Sequence, residues 1–375
     1  MQGHIHKRVH SMADGRTVTT WYVVIELDRD ANGRRRQKWH GSYRTRREAE
    51  AARAKLVNEV NTGLYAEPTK LTLADWVNDS WLTTMKSQVK ASTWDGYDRM
   101  LRLHVLPTLG QRPIHQLNST LLNNLYTELL ESGNRRGAGG GLNPKTVRHV
   151  HTTLHKVLAD SIDAGVLVTN PADQAKPPKP RATSRTEMKF WEPEQLARFL
   201  TSVEGTRQQA AWHLAAMTGM RRGEVLGLRW QDVDLDARRL AVRHTLVSVK
   251  YQICDSTPKT HQARTIDLDP ATVDQLRAHR QRQATERAAW GPGYQESGLV
   301  FRREDGSSVH PDLFSQAFEA EVRRSGLPRI RLHDLRHTHA TIALRAGAPI
   351  KVISERLGHF SGDAILCGGV ADQAS

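Results

Sequence analysis

Five basic side chains in the last third of the chain have the types and the order needed to surround a phosphate group. They are Arg221, Lys259, His333, Arg336 and His359. A guanidinium stays charged at any working pH and can bind two oxygens at once, while lysine and histidine can donate hydrogen bonds or move protons. The set therefore suits a phosphodiester, whose non-bridging oxygens gain negative charge when the phosphorus is attacked.

The motifs around these side chains point to one family. They are Thr218-Gly219-Met220-Arg221-Arg222-Gly223-Glu224, Pro258-Lys259-Thr260, Leu332-His333-Asp334-Leu335-Arg336-His337 and Leu357-Gly358-His359. Their order and spacing resemble those of the tyrosine recombinases, the phage-integrase family of site-specific DNA strand-transfer enzymes. The resemblance covers roughly residues 70 to 360.

The resemblance implies a role for each of the five residues. Arg221 and Arg336 would clamp the non-bridging oxygens. Lys259 would be the general acid for the leaving 5′ oxygen, His333 would accept the nucleophile's proton or bind the phosphate, and His359 would donate a further hydrogen bond. No metal and no other cofactor is expected, because cations of the protein neutralise the charge. Glu224 is expected to bind backbone or an arginine.

One member of the family's catalytic set is missing. The family places its nucleophilic Tyr about nine residues after the final His, and that position is Gly368. Residues 360–375 contain no Tyr, and the seven tyrosines are Tyr22, Tyr43, Tyr65, Tyr97, Tyr126, Tyr251 and Tyr294. Gly368 and Gly369 also disfavour the helix expected there. We therefore expect a chain that cannot cleave DNA, most simply after a frameshift or truncation near Ser361; a Cys367 thiolate is an alternative nucleophile.

Composition favours a polyanionic partner. The 375 residues carry a formal net charge of +14, and residues 1–65 hold 13 Lys and Arg against 7 Asp and Glu. Two cysteines are too few for a disulfide framework, and no apolar run of about 18 residues exists. These features predict a soluble protein of the bacterial cytoplasm, associated with the nucleoid, without membrane contact.

The pattern along the chain predicts a mixed α+β fold in three domains. Residues 1–65 alternate as strands and then give a helix capped by Thr45 and Glu48, which resembles an arm-type DNA-binding domain. Residues 66–172 are helical throughout, with one helix ending at Pro107, and resemble a core-binding domain. Residues 173–186 form a proline-rich linker. Residues 187–375 form a mainly helical catalytic domain with a small antiparallel sheet, in which Lys259 lies on a turn between strands 240–250 and 263–268.

The expected partner is double-stranded DNA at attachment sites. Candidate phosphate contacts in the arm domain and the helical domain are Arg34, Arg35, Arg36, Lys38, Lys86, Lys90, Arg148 and Lys156. The family resemblance also implies a homotetramer on DNA, which the altered tail would affect, and accessory DNA-bending or directionality factors.

Three other interpretations remain open. The chain could be a DNA-binding regulator or decoy derived from an integrase. It could be a metal hydrolase that uses His333, His337 and His339, since His333 and His337 are four residues apart. Type IB topoisomerases share the phosphate-binding set, but the N-terminal sheet and the helical domain fit integrases better.

Overall fold

The structure is a computed structural model that describes residues 3–11, 16–27, 33–63, 65, 69–134, 139–179, 189–258 and 263–358. Lys259, His359 and the tail 360–375 lie outside these ranges. The chain divides into two compact units, Met1–Thr183 and Ser184–Ser375, with the division inside the predicted linker. The predicted mixed α+β fold class is confirmed.

The N-terminal part is a three-stranded antiparallel sheet packed on one helix. The strands Gly3–Ser11, Thr17–Leu27 and Arg36–Tyr43 pair in chain order. The helix Arg46–Asn61 begins with the predicted capping box, in which the Thr45 hydroxyl accepts from the Glu48 backbone N–H at 3.2 Å. Val23 and Ile25 are buried on the sheet face that the helix covers, whereas His4, His6, Arg8 and Trp39 on the opposite face, called the open face below, are exposed.

A helical domain follows, and two of its helices contain π-helical turns. Leu73–Asp75, π-helical Trp76–Trp81 and Leu82–Gln88 run directly into one another, as do Ala91–Met100, π-helical Leu101–Val105 and Leu106–Leu109. The remaining segments are the 3₁₀ turn Ile114–Gln116 and the helices Ser119–Ser132 and Pro144–Asp163. Their apolar faces form one core, which includes Trp81. The indole N–H of Trp81 donates to the Asp160 carboxylate at 2.7 Å.

Pro107 does not end its helix, so that prediction was wrong. The backbone N–H of Leu106 donates to the Leu101 carbonyl, which closes the π-helical turn, and a short α-helical segment then starts at Leu106. Proline is tolerated at the start of such a segment, where its missing N–H costs little.

The first half of the predicted linker packs against the helical domain. His155 Nε2 lies 2.8 Å from a carboxylate oxygen of Asp173. The Lys176 backbone N–H donates to Asn123 at 2.7 Å, and Arg148 donates to the Pro178 carbonyl at 3.4 Å. Residues 173–179 are therefore held by the helices, which the proline-rich composition alone did not predict.

The second unit is mainly helical. Its helices are Pro193–Ser202, Gln209–Thr218, Arg222–Leu226, Pro270–Trp290, Pro311–Arg324, Asp334–Arg345 and Ile350–Leu357, with 3₁₀ turns at Trp230–Asp232 and Gly291–Gly293. Trp191, Phe199, Trp212 and Phe318 form the aromatic centre of its core. Among the helices in the described ranges, none is both long enough and apolar enough to cross a membrane.

The strands of this unit differ from the prediction of one hairpin. The expected strand 240–250 is two strands, Arg239–Val242 and Thr245–Val249, which belong to different sheets. Thr245–Val249 pairs with an additional strand, Gln252–Ser256, while Arg239–Val242 pairs with Val233–Asp234 and Arg264–Asp267. In sequence, the additional strand stands between the two expected strands and precedes Lys259, which lies outside the described residues.

Candidate phosphate-binding site

Arg221 lies at a helix start that is fixed by a left-handed glycine. The helix Gln209–Thr218 ends at Gly219, whose φ is 64°, and the helix Arg222–Leu226 begins immediately after Arg221. The Arg221 backbone N–H donates to Glu224 at 2.9 Å, and its side-chain Nη1 donates to the same carboxylate at 2.9 Å. Glu224 is therefore bound to backbone and to an arginine, as the sequence predicted.

Arg336 lies in the helix Asp334–Arg345 and is almost fully buried, with 4% of its surface exposed. Its Nη1 donates to the Gly219 carbonyl at 2.8 Å and its Nη2 to the Leu357 carbonyl at 2.6 Å. Burial, followed by the nearby charge of Arg221, lowers the pKa of Arg336 to about 9. A buried cation beside another cation favours the binding of an anion.

A third arginine, Arg264, joins this cluster. It donates from Nη1 and Nη2 to the two oxygens of Glu224 at 3.1 and 2.6 Å, and from Nε to the Arg356 carbonyl at 2.8 Å. Burial raises the pKa of Glu224, but the hydrogen bonds and charges of Arg264 and Arg221 together outweigh it, so the pKa of this carboxyl is lowered from its usual value. No motif in the sequence assigns a role to Arg264, and only its place shortly after Lys259 points to one.

The three arginines bind three consecutive carbonyl groups at the end of the last described helix. Arg264 binds the Arg356 carbonyl, Arg336 that of Leu357, and Arg221 that of Gly358 at 3.3 Å. Helix C-termini leave carbonyls without intrahelical partners and carry partial negative charge, so guanidinium groups stabilise them. The cluster thereby fixes the point at which the chain leaves the helix, one residue before His359.

His333 is the residue just before the helix that carries Arg336, and its side chain is exposed. Its ring lies 5.3 Å from that of His337 in an edge-to-face arrangement. Desolvation, followed by the charges of His337 and Arg336, lowers the pKa of His333. The helix start is anchored by Asp334, which accepts a two-pronged ion pair from Arg331; this pair was not foreseen from the sequence.

The structure brings together two of the five predicted catalytic residues, Arg221 and Arg336, and places His333 three residues before Arg336. Lys259 and His359 lie outside the described residues. The alternative three-histidine metal site gains no support, because no cluster of three or more His, Cys, Asp or Glu side chains in the described ranges could hold a metal. His339 instead directs Nδ1 to the Ala216 carbonyl at 3.1 Å.

The predicted DNA contacts of the helical domain differ in their surroundings. Lys86 is exposed and Lys90 is half-buried. Arg148 donates to the linker carbonyl of Pro178, and Lys156 forms an ion pair with Asp160 at 2.9 Å. Both of the latter side chains would have to rearrange, or share their N–H groups, to bind a phosphate.

The predicted contacts of the arm domain lie around the last strand of its sheet. Arg34, Arg35 and Arg36 are exposed, whereas Lys38 is half-buried and pairs with Ile25 on the side that the helix covers. The open face carries Trp39, 51% exposed, with the rings of His6 and Tyr22 edge-on to it at 5.0 and 6.0 Å. The register places His4, Arg8 and His10 on this face as well. This basic and aromatic surface was not predicted from the sequence.

Three family models match successive parts of the chain. An arm DNA-binding domain matches residues 14–60, and a phage integrase N-terminal SAM-like domain matches residues 72–130. The phage integrase family model matches residues 189–365, which include the whole arginine cluster.

Curated relatives match over most of their length. A "Tyrosine recombinase XerC-like" protein of Caldanaerobacter subterraneus subsp. tengcongensis is 28% identical over 355 residues, which cover 90% of this chain and 88% of the relative. The ICEBs1 integrase of Bacillus subtilis is 25% identical, covering 84% and 83%. The "Putative defective protein IntQ" of Escherichia coli is 25% identical, covering 77% and 76%.

Solved structures share the fold. A Tn1549 transposon integrase in complex with a circular intermediate DNA has a TM-score of 0.65 and 19% identity, covering 80% of this chain and 94% of that chain. A lambda integrase tetramer bound to a Holliday junction has a TM-score of 0.58 and 16% identity, covering 94% and 96%.

Proposed function

The chain belongs to the tyrosine recombinase (phage integrase) family, and from this premise we propose that it binds the attachment-site DNA of a phage or mobile element through a recombinase-type phosphate site that cannot cleave. The observation that carries the proposal is the arginine cluster. Arg221 and Arg264 hydrogen-bond to one carboxylate, Glu224, and all three of Arg221, Arg264 and Arg336 bind carbonyls at one helix end. Three cations against one anion leave a positive excess that a DNA phosphate would neutralise.

The roles of individual residues follow from the geometry and the family pattern together. Arg221 and Arg336 would bind the non-bridging oxygens of the scissile phosphate, because both are anchored by hydrogen bonds to backbone carbonyls and a guanidinium has more N–H groups than these bonds use. His333, exposed beside them, would donate to or accept from the same phosphate. Lys259 would be the general acid and His359 a further donor, and both are proposed from the motif alone.

Cleavage is the step that this chain would lack. In the family a Tyr attacks phosphorus and forms a 3′-phosphotyrosine while the 5′ oxygen leaves with a proton. Arginines that bind the phosphate cannot replace a missing nucleophile. Position 368 is Gly368 and residues 360–375 contain no Tyr, so the proposed activity stops at the non-covalent complex.

A second candidate function rests on the same observation. A chain that keeps the DNA-binding surfaces and lacks the nucleophile could be a regulator or decoy, with no selected chemistry. The two proposals make different predictions for variants of the phosphate site, since a decoy needs only the arm and helical domains to bind DNA. Replacing Arg221 by Ala would weaken DNA binding only modestly if the decoy proposal is correct.

The proposed partner of the arm domain is duplex DNA, and we place the contact on the open sheet face with Arg8 and Trp39. A sheet of this size fits the major groove. Assembly as a homotetramer on DNA, accessory DNA-bending or directionality factors, and a location in the bacterial cytoplasm at the nucleoid are parts of the same proposal, and each follows from family membership.

A salt titration tests the proposed DNA binding. Fluorescence anisotropy of a labelled random-sequence duplex, measured across a range of salt concentrations, should give a log K that falls steeply and linearly with log salt. The slope counts the phosphates that the protein neutralises. A slope near zero, or binding too weak to measure at low salt, would contradict the proposal.

A further inference from the structure

Glu224 and Arg264 form an ion pair in the interior of the catalytic unit. The Glu224 side chain is 2% exposed and that of Arg264 is 10% exposed. Both terminal nitrogens of Arg264 bind the carboxylate, and its Nε binds the Arg356 carbonyl. All three nitrogens of one guanidinium are thus used inside the protein, which leaves Arg264 poorly placed to bind a DNA phosphate itself.

We propose that Arg264 is a positioning residue that holds Glu224 and the end of the last helix, so that Arg221 and Arg336 present free N–H groups to a phosphate. This inference rests on the proposed phosphate site. It assigns a specific task to a residue that never touches the ligand.

The first part of the task concerns charge. Arg221 contacts Glu224 through Nη1, and Arg264 contacts both oxygens of the same carboxylate. Without Arg264, the buried carboxylate would have Arg221 as its remaining cationic partner within hydrogen-bonding distance in the described cluster. The Arg221 guanidinium would then turn further onto Glu224, because a buried charge requires compensation. Its donors would be lost to the phosphate.

The second part concerns the helix end. Gly358 has a φ of 68°, and a Cβ added there would lie 3.2 Å from Nη1 of Arg264, so the guanidinium packs directly against this turn. The adjacent carbonyl, that of Leu357, holds Arg336 at 2.6 Å. Arg264 therefore supports the same turn that orients Arg336 and that leads into His359.

The position of Arg264 in the chain supports this task. It begins the strand Arg264–Asp267, five residues after Lys259. One side chain thus fixes the strand start that follows the Lys259 segment, the carboxylate beside Arg221 and the turn before His359. A lysine could replace its charge but not its planar three-nitrogen contact.

Phosphate-dependent thermal stability of the full chain tests the inference. Ligand that binds only the folded state raises Tm in a concentration-dependent way. The melting temperature would be followed against inorganic phosphate, with chloride at matched ionic strength as reference, for the wild type, Arg264→Gln, Arg264→Lys and the double variant Glu224→Gln/Arg264→Gln. Arg239→Gln is the matched control, since Arg239 lies on the paired strand, is 63% exposed and forms its own ion pair with Asp267.

Phosphate should raise the Tm of the wild type and of Arg239→Gln by the same amount. Arg264→Gln should bind phosphate about tenfold more weakly, and Arg264→Lys should be intermediate. The double variant should recover binding, because removal of the Glu224 charge releases Arg221. Recovery separates positioning from a general loss of stability, and Arg264→Lys decides the question if Arg264→Gln does not fold.

Undiminished phosphate binding in Arg264→Gln, or no recovery in the double variant, would overturn the inference and leave the phosphate site intact. A further variant, Arg221→Gln, lacks one of the two proposed phosphate ligands. If phosphate raises the Tm of the wild type no more than that of Arg221→Gln, the phosphate site itself is overturned, and the inference with it.

Discussion

The guanidinium of Arg336 donates to the backbone carbonyl of Leu357 at 2.6 Å. Its other terminal nitrogen donates to the carbonyl of Gly219 at 2.8 Å. One side chain thus joins three segments: the turn before Arg221, the helix Asp334–Arg345 that carries Arg336, and the end of the last described helix. The side chain proposed to bind the phosphate also holds together the backbone around it.

This double function predicts a stability cost for Arg336→Ala beyond any effect on DNA. Two buried carbonyls would lose their partners, which should lower the free energy of unfolding by about 3 kcal/mol. Urea denaturation monitored by tryptophan fluorescence measures the change. Arg329→Ala is the control, because its 3.5 Å ion pair with Glu319 is at the surface and should be worth under about 0.5 kcal/mol. Equal effects of the two variants would contradict the structural role.

The turn at Gly219 should tolerate no side chain. A Cβ there would lie 2.5 Å from Leu357 Cδ2, and φ is 64°. Gly326 has a similar φ of 66° but no heavy atom within 4 Å of the added Cβ. Gly326→Ala should cost about 1 kcal/mol from backbone strain alone, whereas Gly219→Ala should cost about 2 kcal/mol more because of crowding. Differential scanning calorimetry of the two variants isolates the crowding, and similar Tm values would argue against the packing described.

Acid should destabilise the catalytic unit below neutral pH. Burial lowers the pKa of His339 and of His279 to about 4 in the folded state, against about 6.5 in an unfolded chain. The unfolded state therefore binds more protons between these values. The contribution of these two histidines to the free energy of unfolding is fully present above about pH 6.5 and is lost as the pH falls towards 4.

At pH 5 the loss should be about 2 kcal/mol for each histidine. Urea denaturation at pH 7 and pH 5 measures it. His339→Gln should reduce the difference in the free energy of unfolding between pH 7 and pH 5, while His10→Gln, at an exposed residue of the other unit, should leave that difference unchanged. An identical pH dependence in wild type and His339→Gln would show that His339 does not titrate as described.

The open face of the N-terminal sheet should carry the arm contact with DNA. Arg8 lies on that face, opposite Thr20, whereas Lys55 lies on the covering helix, is 78% exposed and pairs with Glu59. Arg8→Ala and Lys55→Ala each remove one positive charge from the same small domain. Arg8→Ala should weaken duplex binding and reduce the salt slope by about one, and Lys55→Ala should do neither. Equal salt slopes for Arg8→Ala and Lys55→Ala in the anisotropy titration would show that this face does not contact DNA through Arg8.

Local signals in the sequence predicted much of this fold. Thr45 and Glu48 form the predicted capping box, and the predicted helical segment 66–172 is built of helices. Such features depend on a few neighbouring residues, so the sequence is sufficient. The turn at Lys250 and Tyr251 is different. Both residues have positive φ, 48° and 67°, which long and aromatic side chains rarely adopt, so the break of the expected long strand into a separate hairpin had no sequence signal.

Contacts between segments that are distant in the chain could not be predicted from the sequence, because they depend on tertiary packing. The motifs identified Arg221 and Arg336 as a pair, but nothing in the spacing showed that Arg264 binds Glu224 forty residues earlier in the chain. The sequence predicts a phosphate contact for Lys38 but not its half-buried position on the face that the helix covers, because the alternation of a short strand does not reveal which face a helix will cover. Tertiary packing decided both.

The central claim is that this chain binds DNA at a recombinase phosphate site and forms no covalent bond with it. The most direct measurement incubates the full chain with sheared genomic DNA of the organism that carries its gene, boils the mixture in detergent, digests the DNA with nuclease, and examines the protein by gel and mass spectrometry. We predict a salt-sensitive complex before boiling and only the unmodified chain afterwards. A nucleotide-bearing peptide that survives boiling would contradict the claim, and the modified residue would identify the nucleophile.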